Sequence, residues 1–239
     1  MRAVILAAGR GSRMKNLTED RPKCLVEFRG RPLLEWQISS LQEAGIDEIA
    51  VVTGYKRELL AGRGLREFRN ERWSETNMVS SLECAREWLN EVPCIVSYSD
   101  IFYGPEAPRT LNGSDADLSV LYDVNWLAQW TKRFGDPLLD AETFRMDDGG
   151  NIVEIGNKPK SVEEIQGQYM GLLKFSPAGW AEVERLRSTL SAAERDSMHM
   201  TGTLQRIIEA GRIHVRGVPF GGEWAEMDSQ EDLEAMNNA

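Results

Sequence analysis

Basic side chains and glycines are concentrated in the first 31 residues of the chain. An apolar run at residues 3–6 predicts a strand, which leads directly into a loop of small residues containing Gly9 and Gly11. Because glycine has no side chain, such a loop lets backbone N–H groups approach phosphate oxygens closely. This segment carries eight Lys and Arg against three Asp and Glu, whereas the rest of the chain carries 20 against 35. A cationic focus on an acidic protein favours a compact polyanion as ligand.

Taken singly, these residues also have ordinary interpretations. The two glycines fit a tight turn, and Lys23 fits a solvated surface lysine. A dinucleotide-binding loop of the dehydrogenase type is disfavoured, because G-x-G-x-x-G requires a third glycine where this chain has Met14.

The composition is that of a globular protein with no predicted membrane span. At 239 residues, with 41% hydrophobic and 28% charged residues, the chain is long enough for one large α/β domain. No run of about eighteen apolar residues is present, and the immediate entry into a strand predicts that there is no signal peptide. Three cysteines without a C-x-x-C pair predict reduced thiols in a cytoplasmic protein. A net charge of −10 argues against nucleic acid as the main partner.

The order of predicted elements indicates an α/β fold. Strand, helix and strand alternate through the first half, which implies a right-handed parallel crossover. A helix is expected to begin at residue 75, with Ser74 or Thr76 as its cap. The later part predicts a hairpin, a strand returning to the sheet, two helices, a strand near Val215, and a final strand and helix. These elements are expected at residues 32–44, 47–53, 94–96, 141–155, 168–175, 177–190, 203–210 and 224–227, with the last helix from residue 229.

Two linked motifs at the start of the chain resemble the signature of a known family. The strings are Leu6-Ala7-Ala8-Gly9-x-Gly11-x-Arg13-Met14 and Pro22-Lys23-x-Leu25. They are similar to those of the nucleotidyltransferases that build NDP-sugars and CDP-alcohols from NTPs. The resemblance implies a Rossmann-like α/β fold with a mixed, mostly parallel sheet flanked by helices and a small β-rich acceptor-binding insertion. It implies a single domain over residues 1–239, with nucleotide binding mainly in 1–123 and acceptor binding and a second metal ligand in about 124–228.

The resemblance also implies a metal site and two catalytic basic residues. Asp100 follows the predicted strand at residues 94–96, and Asp228 stands in Trp224-x-Glu226-x-Asp228. Either aspartate alone also fits a helix cap. Two carboxylates converging on a hard cation suit Mg²⁺. The family pattern further implies that Arg13 holds the β- and γ-phosphates and that Lys23 meets the α-phosphate.

A larger set of residues is expected to bind the nucleotide. Two of them, Asn77 and Ser80, also fit ordinary polar positions on a helix. The predicted nucleotide-binding residues are Leu6, Ala7, Ala8, Gly9, Arg10, Gly11, Ser12, Arg13, Lys23, Gly54, Thr76, Asn77, Ser80 and Ser99.

The middle of the chain resembles the branch of the family with small acceptors. Asn157-Lys158-Pro159 stands where sugar-nucleotide enzymes carry E-K-P, and Asn in place of Glu puts recognition of a hexose ring in doubt. Aromatic side chains suit an ammonium group, although each Trp also fits a core position and His199 fits a structural role. The predicted acceptor-binding residues are Trp130, Arg133, Asp136, Glu142, Lys158, Tyr169, His199, Trp224 and Glu226.

The sequence therefore predicts a Mg²⁺-dependent cytidylyltransferase of the cytoplasm. Its expected partners are CTP and a small acceptor of the phosphocholine, 2-aminoethylphosphonate or phosphoglutamine class, with pyrophosphate as the second product. Neither nucleic acid nor a membrane is expected as a partner, and a homodimer is one of the oligomeric states left open. The alternatives are a sugar-1-phosphate nucleotidylyltransferase and a regulatory protein that binds nucleotide without turnover.

Overall fold

The computed structural model describes residues 1–237, apart from the side chains at position 15 and positions 235–237. Within this range the strands are β1 (Arg2–Ala7), β2 (Glu27–Phe28), β3 (Arg31–Pro32), β4 (Ile49–Thr53), β5 (Arg66–Arg69), β6 (Cys94–Tyr98), β7 (Ile101–Tyr103), β8 (Leu118–Asp123), β9 (Phe144–Met146), β10 (Ile152–Ile155), β11 (Gln168–Phe175), β12 (Val215–Phe220) and β13 (Trp224–Glu226). The helices are α1 (Leu33–Glu43), α2 (Met78–Glu83), α3 (Arg86–Glu91), α4 (Glu106–Asn112), α5 (Trp126–Phe134), α6 (Pro177–Ser188), α7 (Ala192–Ser197), α8 (Met200–Ala210) and α9 (Gln230–Asn237).

Seven strands form the central sheet, in the order β12-β8-β11-β6-β1-β4-β5. Neighbouring strands are parallel except at β11, which runs antiparallel to both β6 and β8. The predicted mixed, mostly parallel sheet is confirmed. The predicted hairpin is present as well, because β9 and β10 pair antiparallel outside this sheet.

The first strand shows why both faces of the sheet are covered. Val4 and Leu6 of β1 pack into one core cluster, whereas Ala3, Ile5 and Ala7 pack into the cluster on the other face. Alternating side chains point to opposite faces of a strand, so a strand that is apolar throughout must be buried on both sides. Helices α2, α3, α6 and α8 contribute to the first cluster, and α1 and α4 contribute to the second.

A small ladder beside the central sheet brings the end of the chain to its middle. Strand β13 pairs antiparallel with β7, so that Glu226 lies opposite Ile101. The backbone N–H of Met227 then donates to the carbonyl oxygen of Asp100 at 2.9 Å. This pairing places the residues after β13 next to Asp100, which lies between β6 and β7, although more than a hundred positions separate them in sequence.

The helix expected from residue 75 is wrong in its start and its continuity. The structure has two short helices, α2 and α3, and Asn77 is the cap, with its side-chain oxygen accepting from Met78 N–H at 2.7 Å. Thr76 does not cap this helix, because its hydroxyl donates to the Arg72 carbonyl oxygen at 2.9 Å and accepts from Asn70 Nδ2 at 3.0 Å. The apolar stripe persists across the break, since Leu82, Ala85 and Leu89 are all fully buried.

In the part of the chain that the structure describes, every helix is too short or too polar to cross a bilayer.

Trp180 packs helix α6 against the sheet, so replacing it tests this packing. Its side chain is fully buried and meets the Phe175 ring edge-on, with ring centroids 6.3 Å apart. We expect Trp180→Ala to lower the free energy of unfolding by about 3–5 kcal/mol, because the large side chain leaves a cavity that its neighbours only partly fill. Urea denaturation followed by circular dichroism measures the change.

Leu127→Ala is the control, because Leu127 is 43% exposed on α5; it should change stability by less than about 0.5 kcal/mol. A loss of under about 1 kcal/mol in Trp180→Ala would contradict the packing of α6 described above.

Candidate active site

The loop that follows β1 forms part of the wall of a cavity of 220 Å³. Ala8, Gly9 and Gly11 line it from this loop. Gly11 has a φ angle of +73°, in the left-handed region that favours glycine. The chain then makes a 3₁₀ turn over Ser12–Thr18, and the Thr18 hydroxyl donates to the Gly11 carbonyl oxygen at 3.0 Å. The Thr18 side chain thus ties the end of this turn to the loop at Gly11.

Lys23 lies across this loop and reaches two carboxylates. Its side chain is 7% exposed, and Nζ donates to Asp100 Oδ2 at 2.8 Å and to Asp228 Oδ1 at 2.7 Å. Burial by itself lowers the pKa of Lys23, but attraction to both carboxylates and the hydrogen bonds to them outweigh burial, so the pKa is raised. The Lys23 ammonium is therefore held in its charged form.

Three carboxylates converge at the point where Lys23 ends. One oxygen each from Asp100, Glu226 and Asp228 lies within 4.8 Å of the other two. Asp228 also accepts from Arg13, whose Nη1 lies 2.7 Å from Oδ2. The expectation that Asp100 and Asp228 come together is thus met by the geometry, and Glu226 joins them.

Glu226 is the carboxylate in the least favourable surroundings. Burial and repulsion from Asp228 and Asp100 raise its pKa, against the opposing attraction of Arg133 and Lys23. Arg133 Nη1 lies 3.3 Å from Glu226, and Arg133 Nε lies 2.9 Å from Asp232. Asp232 in turn accepts from the N–H and the hydroxyl of Ser229, the residue after Asp228. This network holds β13 and the segment after it in place.

The three carboxylates fit a divalent cation. Their oxygens are the hard donors that Mg²⁺ and similar ions prefer. Asp100 Oδ1 is buried and has no hydrogen-bond partner among the described residues, although a buried carboxylate oxygen normally has one. That oxygen is available to a cation.

Most of the predicted nucleotide-binding residues line the first cavity. Those that do are Leu6, Ala8, Gly9, Gly11, Arg13, Lys23, Thr76, Asn77 and Ser99, together with Asp100.

Five predicted nucleotide-binding residues lie outside this lining. Ala7 is buried on the other face of the sheet, Arg10 is exposed with its guanidinium 5.9 Å from the Tyr55 ring, and Ser12 begins the 3₁₀ turn. Ser80 donates its hydroxyl to the Arg195 carbonyl oxygen at 3.2 Å, on the side of α2 that faces α7.

Gly54 is the fifth of these residues, and it supports the cavity from behind. A Cβ atom there would lie 2.6 Å from the Ala8 carbonyl oxygen. The same oxygen accepts from Tyr55 N–H at 2.9 Å. Glycine at position 54 therefore lets the loop after β4 cross close behind the loop after β1.

A second cavity, of 250 Å³, adjoins the first and contains most of the candidate acceptor residues. Arg13, Met78 and Tyr98 line both cavities. The predicted residues that line the second cavity are Trp130, Glu142, Tyr169, His199 and Glu226. Asp140, Gln168, Met200, Thr201 and Asp228 complete its wall.

Glu142 and His199 lie side by side in the wall of this cavity. Burial raises the pKa of Glu142, against an opposing hydrogen bond from Thr201 and attraction to His199. His199 caps α8, with Nδ1 accepting from Gly202 N–H at 3.3 Å, so a proton on this ring belongs on Nε2. Neither Glu142 nor Asp140 has an ion-pair partner among the side chains that the structure describes.

Four predicted acceptor residues lie outside the second cavity. Arg133 is engaged by Glu226 and Asp232, and Asp136 caps a 3₁₀ turn through Leu138 N–H. Lys158 points to the carbonyl oxygens of Leu138 and Leu139. Trp224 is buried against Trp130, with ring centroids 6.3 Å apart. A direct contact of these four with a ligand in the cavity is therefore not supported by their present positions.

Trp73, Ser81 and Tyr98 line the first cavity and were not expected from the sequence. Trp73 lies in a charged, irregular stretch without periodicity, and Ser81 reaches the wall only because Asn77 starts the helix. Tyr98 carried a usable signal, because it ends β6, the strand that leads to Asp100.

Gly11 is the residue on which the position of Lys23 depends most directly. A Cβ atom at Gly11 would lie 2.8 Å from both Cβ and Cδ of Lys23. We expect Gly11→Ala to lower the free energy of unfolding by at least about 1–2 kcal/mol, since alanine disfavours this φ angle and the added methyl displaces the Lys23 stem. Thermal and urea denaturation measure the loss.

Gly9→Ala serves as the matched control, because nothing lies within 4 Å of a Cβ there and its φ is not positive. Equal stability of the two variants would contradict the role given to Gly11.

Known proteins similar to this chain are nucleotidyltransferases. Residues 3–138 match the MobA-like NTP transferase domain. The chain is similar to a CTP:phosphoglutamine cytidylyltransferase of Campylobacter jejuni, with 37% identity over 252 residues and 99% of each chain covered. It is also similar to a UTP–glucose-1-phosphate uridylyltransferase of Haloferax volcanii, with 44% identity over 222 residues, covering 89% of this chain and 85% of the relative.

Among solved structures, the CTP:phosphocholine cytidylyltransferase of Streptococcus pneumoniae has the same fold. Its TM-score is 0.76 at 22% identity, covering 99% of this chain and 97% of the other. The family match spans more than half of this chain, and the Campylobacter relative aligns over nearly all of it. The chain therefore belongs to the nucleotidyltransferases with a MobA-like NTP transferase domain.

Proposed function

We propose that this protein transfers CMP from CTP to a small phosphorylated or phosphonate acceptor and releases pyrophosphate. The observation that carries the proposal is the meeting of Lys23, Asp100 and Asp228 where the two cavities adjoin. The likeness of nearly the whole chain to a CTP:phosphoglutamine cytidylyltransferase supports CTP as the nucleotide and a small acceptor as the second substrate.

In this proposal the first cavity holds the nucleotide. Backbone N–H groups of the loop around Gly9 and Gly11, with Arg13, bind the β- and γ-phosphates. The other end of the cavity offers the Trp73 ring and the polar side chains of Thr76 and Asn77 to the base and ribose. Residues 1–123 thus provide most of the nucleotide site, and residues 124–228 provide most of the acceptor site.

Asp100 and Asp228 would hold Mg²⁺ in the complete enzyme. The bound ion would neutralise charge on the phosphates and draw both substrates together.

The chemistry requires no covalent enzyme intermediate. An oxygen of the acceptor phosphate or phosphonate attacks the α-phosphorus of CTP, and the bond from that phosphorus to the β-phosphate oxygen breaks, so that pyrophosphate leaves. The attacking oxygen is already ionised, hence no general base is needed. Lys23 stabilises the negative charge on the α-phosphate, and a compact ammonium suits an oxygen that moves during transfer.

The acceptor site favours a small ligand with a positively charged or hydrogen-bonding end. At 250 Å³ the second cavity is compact, and Asp140 and Glu142 face it without cationic partners among the described side chains. The aromatic rings of Trp130 and Tyr169 add faces that attract an ammonium group. Phosphocholine, 2-aminoethylphosphonate and phosphoglutamine all fit this description.

A sugar-1-phosphate nucleotidylyltransferase is the second candidate, favoured by the likeness to the Haloferax uridylyltransferase. Against it, Lys158 of the Asn157-Lys158-Pro159 string does not line the acceptor cavity. A regulatory protein that binds nucleotide without turnover is the third. It would have no evident need for Lys23, Asp100 and Asp228 to converge.

We propose the cytoplasm as the site of action, supported by three cysteines of which none is paired. A homodimer stays a prediction, which light scattering tests.

A substrate panel tests the proposed function. CTP, UTP, dTTP, ATP and GTP are crossed with phosphocholine, 2-aminoethylphosphonate, phosphoglutamine and glucose 1-phosphate, and pyrophosphate release is measured. We expect release with CTP and one of the first three acceptors, and none with glucose 1-phosphate. Release with UTP and glucose 1-phosphate would establish the second candidate, and nucleotide binding without release would establish the third.

Replacing Lys23 tests its role in the transfer step. We expect Lys23→Ala to lower kcat by about 10²–10³-fold, because charge on the α-phosphate loses a preorganised partner. Nucleotide affinity should change much less. Steady-state kinetics and equilibrium CTP binding separate the two effects. Lys132→Ala, at an exposed position on α5, is the control and should leave both unchanged. Unchanged kcat in Lys23→Ala would remove this residue from the mechanism.

A further inference from the structure

Three basic side chains of the described part of the chain contact the cluster of Asp100, Glu226 and Asp228, and they contact different members of it. Among the described side chains, Arg13 contacts only Asp228 of the cluster, and Arg133 contacts only Glu226. Lys23 is the one described side chain that bonds two of the three carboxylates, with one hydrogen bond to each. The Lys23 ammonium is therefore the group that lies between Asp100 and Asp228.

The same two oxygens cannot serve Lys23 and a divalent cation together. A Mg²⁺ ion takes oxygens at about 2.0–2.1 Å and needs their lone pairs directed at itself. A second cation next to the first would also be repelled at short range. Asp100 Oδ1 has no partner among the described residues, but Lys23 and Arg13 occupy the two oxygens of Asp228, each at 2.7 Å. A divalent ion shared by Asp100 and Asp228 must therefore displace one of these two cations from Asp228, and Lys23, which contacts both carboxylates, is the more strongly repelled.

A released Lys23 needs another anion. Its side chain is 7% exposed and its stem is packed against Gly11, so water offers the ammonium little compensation for a lost carboxylate. An unpaired charge in such surroundings is strongly unfavourable. The near alternative is the first cavity, which Lys23 lines together with the loop around Gly9 and Gly11. Phosphates in that cavity would give the displaced ammonium new oxygen partners.

We propose that Lys23 is the built-in counter-cation of a three-carboxylate metal site and makes binding of the divalent ion depend on the nucleotide. Without nucleotide, Lys23 neutralises Asp100 and Asp228 and excludes the ion. With nucleotide, Lys23 moves to the phosphates, and Asp100, Glu226 and Asp228 become free to hold the ion. The nucleotide part of this inference rests on the proposed function, whereas the exclusion of the ion does not.

The proposal has a reciprocal consequence. Because the coupling of two ligands is a property of the protein, the ion must tighten nucleotide binding by the same factor by which the nucleotide tightens binding of the ion. Removing the ammonium should abolish the part of this coupling that Lys23 provides. A Lys23 variant should then bind the ion well by itself.

The test measures Mn²⁺ binding to the full chain by electron paramagnetic resonance of the free ion. Wild type, Lys23→Met and Lys23→Gln are titrated with Mn²⁺ alone. We expect both variants to bind one Mn²⁺ at least about tenfold more tightly than wild type, a factor within the usual range of coupling between sites. Lys132→Met, which removes the same charge from an exposed position on α5, should bind as wild type does.

A second series adds CTP, with binding of Mn²⁺ to CTP measured separately and subtracted. Wild type should then gain affinity for Mn²⁺, and the Lys23 variants should gain much less. Circular dichroism verifies that each variant is folded. If neither variant folds, the wild-type data decide: tight uptake of Mn²⁺ alone, unchanged by CTP, overturns the proposal.

Two other results would also overturn it. One is equal Mn²⁺ affinity in wild type and the Lys23 variants, and the other is equal tightening in Lys132→Met, which would indicate a general effect of net charge. Failure of the proposed function looks different. In that case no acceptor releases pyrophosphate from CTP, while the metal-only titrations still separate Lys23→Met from wild type.

Discussion

The structure depends on bringing three negative charges together in a poorly hydrated place. Asp100, Glu226 and Asp228 repel one another, and no fold would hold them within 4.8 Å unless positive charge compensated them. The compensation comes from three directions: Lys23 between two of the carboxylates, Arg13 at the rim and Arg133 from behind. The charge cluster is thus both a constraint on folding and the source of its chemistry, since the same oxygens can bind a metal ion.

The two cavities share a wall because the charge cluster lies between them. Arg13, Met78 and Tyr98 belong to both linings, and the Tyr98 ring meets the Tyr169 ring of the second cavity at 5.6 Å. Gly171 makes this arrangement possible, because a Cβ atom there would lie 3.0 Å from the Tyr98 ring. Two adjoining cavities suit a reaction in which a group passes directly from one substrate to the other.

The sequence predicted the loop after β1 and the central sheet better than it predicted which residues line the two cavities. The loop at Gly9 and Gly11 and the central sheet follow from local patterns, in which composition and periodicity act within a few residues. Ser80 was expected at the nucleotide and faces the other way, because the helix begins at Asn77 and the face that it presents is set by that cap. A shift of one residue turns an α-helical side chain by about 100°, so small errors in a helix start change which residues line a cavity.

Charged residues in the acceptor region show a second limit. Arg133 and Lys158 are the kind of side chain that binds phosphate, yet Arg133 is engaged by Glu226 and Asp232, and Lys158 is turned to nearby carbonyl oxygens. Long side chains choose among several partners within reach, and the sequence does not show which partner lies nearest.

By itself, the sequence determined the α/β architecture, the glycine-bearing loop after β1 and the two aspartates that meet beside it, because each rests on residue type and short spacing. The tertiary structure alone decided that Glu226 joins the pair and that Lys23 lies between Asp100 and Asp228. Both facts follow from the pairing of β13 with β7, a contact between segments more than a hundred residues apart. No local pattern records such a contact, since its free energy comes from the assembled sheet and core.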